Sequence, residues 1–360
     1  MMLQLFRRVS ARLHIAASRS YTAPSAQHSI YISNSTNPYF NLTFEDWLFR
    51  HKNSEEPLLL IYRDDPCVII GRNQNPWKEV NFEALHARPG IPFIRRRSGG
   101  GTVYHDLGNT NFSIHLPRQA FDRHVTAQVV LRAVRSLDID ARINERNDIC
   151  VGPDKMSRSA YKIVNKRAYH HGTMLISSQL DILGDLLRTN KDTMVTKGVA
   201  SVRSPVCNLQ RFSDAISHDN FMNAVVHEFQ KEYGLQSSPQ MIDQTEDLEI
   251  LDYIRKGMDE LRASLLSWDW AYGQTPEFTY MIENSFKWGN MMVEIRSKHG
   301  IINSCAFNLM NTSLDETIVE EITGLGRSLE GTRYGFWDSN LAVSGPLQDV
   351  FVWMQKMLGT

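Results

Sequence analysis

Between Arg95 and Asp106 the chain reads Arg-Arg-Arg-Ser-Gly-Gly-Gly-Thr-Val-Tyr-His-Asp, which sets three glycines beside three cations and a histidine. Glycine reaches positive φ without steric cost and lets a ligand approach the backbone, so Gly99, Gly100 and Gly101 could aim successive N–H groups at anionic oxygens. Arginine supplies the planar donors that such oxygens favour. The chemistry suggested is a pocket for a phosphate-bearing ligand, although a glycine hairpin between two strands would use the same residues. A P-loop is excluded. That motif needs Gly-Lys-Ser/Thr opening a helix, and here β-prone Thr102-Val103-Tyr104 follows instead.

A second constellation lies further on, where Lys155-Met156-Ser157-Arg158-Ser159-Ala160 precedes His170-His171-Gly172-Thr173-Met174 by a short interval. Both read as strand segments. Side chains alternate across a strand, so only one of His170 and His171 can face a given pocket, which argues against this pair chelating a metal. No HExxH-like spacing supplies other ligands, and no metal is expected. A lysine such as Lys155, held in a partly desolvated pocket, can balance a carboxylate or a phosphate. An exposed strand lysine is the alternative.

The elements that must position these residues alternate without a fixed repeat, which predicts an α+β domain. Strands are expected at His28 to Ser33, Leu58 to Tyr62, Cys67 to Gly71, Pro92 to Arg97, Thr102 to His105, Asn111 to His115, Asp148 to Val151, Lys155 to Val164 and Tyr169 to Ile176. Helical periodicity covers Thr43 to His51, Arg123 to Arg135 and Gln179 to Leu187, and Phe221, Val225, Val226, Phe229 and Tyr233 mark the apolar stripe of a later helix. Gln236 to Gln244, with Ser237-Ser238-Pro239, predicts a linker to a smaller α+β segment. The expected organisation is a larger domain over 28–240 and a smaller one over 245–360, which the resemblance described below makes the catalytic and the accessory domain.

At 360 residues the chain can bury a full enzyme core. The formal net charge of −1 gives no whole-chain attraction to nucleic acid, and no apolar run approaches the roughly 18 to 20 residues of a membrane span. Neither kind of partner is expected, and no oligomerisation signature departs from a monomer. Cys67, Cys150, Cys207 and Cys305 lie far apart without a CxxC, which fits separate reduced thiols. The first acidic residue is Glu45, whereas Arg7, Arg8, Arg12 and Arg19 sit among apolar residues and serines. On a helix Phe6, Val9, Leu13 and Ala16 share a face, the pattern of a mitochondrial transit peptide over residues 1–25.

Taken together, these blocks resemble the lipoate-protein ligase A family. The resemblance rests on Arg95, Arg96, Ser98, Gly99, Gly100, Gly101, Val103, His105, Asp106, Gly108 and Asn109 in the first block, and on Lys155 to Thr173 in the second. Gly71-Arg72-Asn73-Gln74-Asn75-Pro76-Trp77, Arg146-Asn147-Asp148, Lys197 to Leu209 and the tryptophan-rich Trp268 to Pro276 are similar to further family segments, in the same order. The resemblance implies a biotin and lipoate ligase-type catalytic domain, with a mixed sheet and helices akin to class II aminoacyl-tRNA synthetases, plus a small α+β accessory domain.

It also implies acyl-adenylate chemistry, in which a carrier lysine attacks lipoyl-AMP to form an amide. Lys155 would contact the acyl carbonyl and the phosphate. Gly99 to Gly101 would pack against the acyl chain and ribose-phosphate; Arg96, Ser98, His105 and Asn109 would line the acyl and phosphate side. Asn147 and Asp148 would hold the adenylate, with His171 and Thr173 completing the wall. No tightly bound cofactor is implied, and ATP and Mg enter only if an activation step is retained.

This chain carries Arg158 where the family carries glycine. With the transit peptide, the resemblance points to a matrix lipoyltransferase that takes lipoyl-AMP or the lipoylated H protein of the glycine cleavage system as donor. Its acceptors would be lipoyl domains of 2-oxoacid dehydrogenase E2 subunits. A complete ATP-dependent lipoate ligase and a non-catalytic adaptor that binds lipoyl domains are the alternatives. A biotin ligase would show a different glycine-rich pattern, and an octanoyltransferase would need a nucleophilic cysteine, for which only Cys150 lies near the site.

Overall fold

The computed structural model describes residues 29–202, 204–244, 248–266, 268–336 and 344–359. The expected transit peptide and Arg203 lie outside these residues. The first stretch of chain runs β1 (Ile30–Ser33), α1 (Pro38–His51), β2 (Leu58–Tyr62), β3 (Cys67–Ile70), α2 (Pro76–Glu79), α3 (Phe82–His86), β4 (Phe93–Arg95), β5 (Val103–His105) and β6 (Asn109–Pro117). It continues through α4 (Arg123–Arg135), β7 (Arg142–Ile143), β8 (Ile149–Val151), β9 (Asp154–Lys155), β10 (Ser157–Val164), β11 (Arg167–Leu175), α5 (Leu180–Leu186), β12 (Met194–Thr196), α6 (His218–Tyr233) and β13 (Gln240–Ile242). The remainder holds α7 (Leu248–Leu266), α8 (Trp268–Ala271), β14 (Phe278–Phe286), β15 (Gly289–Lys298), β16 (Ile301–Met310), α9 (Glu316–Ser328) and α10 (Pro346–Leu358).

The main sheet has six strands in the order β10-β11-β6-β2-β1-β13, with β1 parallel to β2 and β13 and the other pairs antiparallel. This mixed sheet with helices is the expected α+β architecture. Its centre is apolar on both faces because β2 is the unbroken run Leu58-Leu59-Leu60-Ile61-Tyr62. Leu59 and Ile61 join the core under α4 and α6, while Leu58, Leu60 and Tyr62 join the core under α1 and α7. Each such buried aliphatic side chain stabilises the fold by roughly 1.5–3 kcal/mol. In β6 and β11 the alternation becomes chemical. Phe112, Ile114, Leu116 and Met174 enter the α4–α6 core, while Asn111, Ser113, His115, Tyr169, His171 and Thr173 occupy the alternate positions.

Three sequence expectations change. Helix α1 starts at Pro38 rather than Thr43, because Asn37 Oδ1 caps it by accepting from the Tyr39 and Phe40 N–H groups and Pro38 fits its first turn. The strand expected from Lys155 to Val164 divides at Met156. Lys155 pairs with β8, and Ser157–Val164 pairs with β11. The linker expected at Gln236 to Gln244 contains β13, whose Gln240, Met241 and Ile242 cover the open edge of β1. It escaped notice because it is three residues long and only Ile242 is buried.

Beyond α7 a second sheet forms in the order β12-β14-β15-β16, so Met194–Thr196 crosses over to join it. Met291, Val293, Ile295, Ile302, Ile322 and Met354 pack there in one core with Val68, Phe93 and Trp77 near the glycine block. All four cysteines are free and buried, as expected of separate thiols.

Candidate active site

The smaller sheet β4-β3-β5 carries the glycine run across its open end. Gly100 has φ +89°, and a Cβ there would stand 2.5 Å from Ala160 Cβ and 2.9 Å from Arg96 Nη2, so the loop needs glycine on both conformational and steric grounds. At Gly101 a Cβ would press within 3.1 Å of Ser201 Oγ. Gly99 differs, since a Cβ there would meet nothing within 4 Å. The close packing that excludes a side chain is therefore shown at Gly100 and Gly101 and not at Gly99.

The three arginines hold the frame. Arg95, buried and depressed to about 9 by that burial, donates to the carbonyls of Ala271, Gly71, Arg72 and Gln74 and to Thr275 Oγ1. Arg96 lines the cleft, but its donors reach the carbonyls of Gly99, Gly101 and Ile69 and Ser98 Oγ, which pins the loop from behind. Arg97 pairs with Asp46 at 2.5 Å and with Glu260 on α7 at 2.7 Å.

The glycine loop forms one wall of a cleft of about 550 Å³. Gly100, Gly101, Arg96, His105, Asn147, Asp148, Lys155, His171 and Thr173 all line it, so most of the site residues named from sequence converge. Ser98, Gly99 and Asn109 do not. Ser98 sits behind the wall, its Oγ 3.2 Å from His171 Nε2, and Asn109 is fully buried with its Nδ2 donating to Asn111 Oδ1. Asn111, two residues along the same strand face, takes the lining position.

Lys155 is the chemical centre of the charged end. It is 5% exposed, and its Nζ lies 2.7 Å from Asp148 Oδ2. Asp148 also accepts from the Ser159 N–H at 2.9 Å, so the pair satisfies what would otherwise be a buried bare ammonium. The main chain of Lys155 is clamped by the Pro205 carbonyl and the Cys207 N–H. Asn147, at φ +62°, closes the turn before Asp148, its N–H donating to the Asn144 carbonyl. Cys150, by contrast, is absent from the lining, and burial raises its thiol pKa, which removes the candidate nucleophile from the cleft.

Of the two adjacent histidines, His171 faces the cleft and His170 turns away to Thr126 Oγ1 and Ser159 Oγ, as strand alternation requires. His171 Nδ1 lies 3.2 Å from Glu45 Oε1. Burial alone would raise the Glu45 carboxyl, but His171 outweighs it with help from His115 and Ser113, and holds it at about 2. Asp64, Cys67 and His105 bring ligand-type atoms within 4.8 Å of one another. The Nδ1 of His105 is engaged by Asp64 and burial keeps the Cys67 thiol protonated, so this cluster reads as hydrogen-bonded packing.

The other lining residues come from places the chemistry-bearing types did not mark. Leu42, Tyr62, Ile69 and Val103 add apolar lining, and Leu42, Ile69 and Val103 pack in one cluster. Val199, Ala200, Ser201 and Val202 cross the cleft as a strap, tied by Gln74 Nε2 to the Val199 carbonyl at 3.1 Å and by Ser201 Oγ to the Thr102 N–H at 3.0 Å. Arg158 also lines the cleft, with Nη1 donating to the Thr102 carbonyl at 3.0 Å and its pKa lowered by burial.

Residues 37–230 match the lipoyl protein ligase A/B catalytic domain. A protein named lipoate-protein ligase A from Psychrobacter cryohalolentis is 33% identical over 325 residues, covering 89% of this chain and 95% of that protein. The chain belongs to the lipoate-protein ligase A family. Its fold matches solved ligases of that kind. The lipoate complex of LipL1 from P. falciparum is 27% identical with a TM-score of 0.57, covering 91% of this chain and 98% of that one. A lipoate-protein ligase A bound with ATP is 26% identical with a TM-score of 0.57, covering 67% of this chain and 96% of that one. A bipartite lipoate protein ligase, described with its E2 lipoyl domain from Thermoplasma acidophilum, is 26% identical with a TM-score of 0.55, covering 65% and 93%. The ligase family thus supplies an amide-forming transferase chemistry for the cleft described above.

Proposed function

We propose that this chain is a lipoyltransferase of the mitochondrial matrix. It moves a lipoyl or octanoyl group from an activated donor, lipoyl-AMP or the lipoylated glycine cleavage H protein, to the lysine of lipoyl domains on E2 subunits of 2-oxoacid dehydrogenases. The observation that carries the reading is a single cleft that brings apolar Leu42, Tyr62, Ile69 and Val103, charged Lys155, Asp148 and Arg158, and Gly100 and Gly101 of the glycine loop into one lining. An acyl adenylate needs both an apolar and a charged wall. In the transfer the carrier amine attacks the acyl carbonyl, the new C–N bond forms, the C–O bond to phosphate breaks, and AMP leaves while the amine's proton passes to solvent. Lys155 stabilises the negative charge that builds on carbonyl and phosphate. An adenylate is already activated, so positioning supplies much of the remaining rate without a dedicated base.

Arg158 supports a preformed donor over activation of free lipoate. The residue lines both the cleft and a neighbouring recess of about 220 Å³ that also holds Lys78 and Lys191, so its bulk stands in the passage between the two spaces. The complete ligase is the second reading, favoured by the near full-length match to a protein of that name. Intact-mass spectrometry of a lipoyl domain incubated with the chain separates them. The transferase predicts modification from lipoyl-AMP and none from lipoate plus ATP, and equal modification from both would make it a complete ligase. Arg158→Gly is expected to open the passage and raise ATP-dependent modification; an unchanged level would make Arg158 incidental to donor choice.

A further inference from the structure

Asp46, on α1, is a buried carboxylate that the transfer chemistry described above does not use. It is 3% exposed, and donors from four residues converge on it. Oδ2 accepts from Arg50 Nε at 2.7 Å, from Arg97 Nη1 and from the hydroxyl of Tyr253 on α7 at 2.6 Å, while Oδ1 accepts from Lys162 Nζ at 3.0 Å. Burial alone would raise the carboxyl, but Lys162, Tyr253, Arg97 and Arg50 outweigh it and hold it below the usual carboxylate range. The group therefore stays charged at neutral pH.

Two of these donors flank the close contact that shapes the cleft wall. Arg97 stands three residues before Gly100, and Lys162 stands two residues after Ala160 on β10. Gly100 and Ala160 both line the cleft, and they approach so closely that no Cβ fits between them. One carboxylate thus ties the segment entering the glycine loop to the strand on which the loop leans. Lys162 is held from another side by the Phe49 ring, whose centroid is 4.6 Å from Nζ. Arg158 makes a second tie, to the Thr102 carbonyl, at the loop's exit. The gap beside Asp46, Arg97 and Tyr169 is only about 10 Å³, scarcely the room of one water, so the cations there serve the carboxylate and not a bound ligand. Resting on the function proposed above, we propose that Asp46 is a positioning residue for acyl transfer: by holding Arg97 and Lys162 on one carboxylate it locks the glycine loop against β10 and fixes the wall against which the donor reacts.

The test is transfer from lipoyl-AMP to a purified lipoyl domain by the full chain at matched folded concentration, which removes a mere loss of stability from the comparison. Asp46→Asn keeps the shape of the side chain but removes its charge. The rate at saturating lipoyl-AMP is expected to fall about tenfold or more, because a small misplacement of bound reactants is costly, while KM for the lipoyl domain stays within about twofold of wild type. An unchanged rate in the folded variant would overturn the inference, and so would a loss confined to KM for the lipoyl domain. Arg97→Met, Lys162→Met and their double variant supply a second test, which decides alone should Asp46→Asn fail to fold. Arg97 and Lys162 meet through Asp46, so the double variant is expected to lose no more than the worse single. Losses that multiply, or no loss in either single variant, would overturn the inference. Transfer by wild-type protein with Asp46→Asn unaffected removes this inference alone, whereas no transfer by wild-type protein removes the function reading and this inference with it.

Discussion

Lys155 combines two properties that ordinarily conflict, being almost fully buried and formally charged. Asp148 resolves the conflict at 2.7 Å. Lys155→Ala therefore carries two expected effects. Removal of the ammonium leaves the Asp148 carboxylate buried with Ser159 N–H as its close remaining donor, which is expected to lower unfolding free energy by about 1–3 kcal/mol in urea titration. Acyl transfer falls much further, by about a hundredfold or more, because the charge-stabilising group itself is gone. Residue types alone singled out Lys155, the His170-His171 pair and the glycine run; the choice of His171 came from the resemblance, and of the glycines Gly100 and Gly101 line the cleft. Residue types were not enough to separate Arg96, whose Nε, Nη1 and Nη2 all reach the loop or Ile69, from Arg158, which gives Nη1 to the Thr102 carbonyl and also lines the neighbouring recess. Arginine serves a frame and a ligand equally well, and only the positions of its acceptors distinguish the two roles.

At the scale of elements, the glycine loop depends on a close approach to β10. Gly100→Val would add a β-branched side chain at φ +89° and drive it into Ala160, so binding of a lipoyl-AMP analogue is expected to disappear in calorimetry while the main sheet persists by circular dichroism. Unchanged affinity would contradict the loop's place in the cleft wall. Elements with a strong period were legible in the sequence: β2, β11 and α4 fall within two residues of where patterning put them. Those whose signal is a cap or an edge were not. Helix α1 gains its first turn from Asn37 and Pro38 rather than from apolar spacing, and β13 exists because β1 has an open edge, a long-range fact no local pattern carries. The strap at Val199 to Val202 was visible only through resemblance, since Val199, Ala200 and Val202 are apolar and Ser201 alone marks no chemistry.

On the scale of the whole molecule, the cleft is braced from the far segment. Arg95 ties β4 to the Ala271 carbonyl and Thr275, and the core of β14 to β16 runs on into Trp77 and Phe93. Arg95→Met leaves several buried carbonyls without a donor and is expected to cost about 3 kcal/mol in equilibrium unfolding; a change below about 0.5 kcal/mol would show that the brace is dispensable. Stability also depends on pH through His115 and His170. Burial holds both at about 3, assisted at His115 by Arg167 and at His170 by His171. The unfolded chain therefore takes up protons that the folded one refuses as pH falls below about 6.5, and stability is lost in that direction. Well inside the window from about 6.5 down to 3, each histidine contributes a slope of about 1.4 kcal/mol per pH unit. Urea unfolding at pH 5 should show a clear loss relative to pH 7, and equal stability would contradict neutral burial of the pair.

The most direct test of the account is transfer from preformed lipoyl-AMP to a purified lipoyl domain, followed by intact mass and compared between the wild-type chain and Lys155→Ala at matched folded concentration. The account predicts one lipoyl group on the carrier lysine with the wild-type chain and a rate about a hundredfold lower with the variant. Transfer by the folded variant at a near wild-type rate would contradict the assignment of Lys155 as the catalytic residue of this cleft.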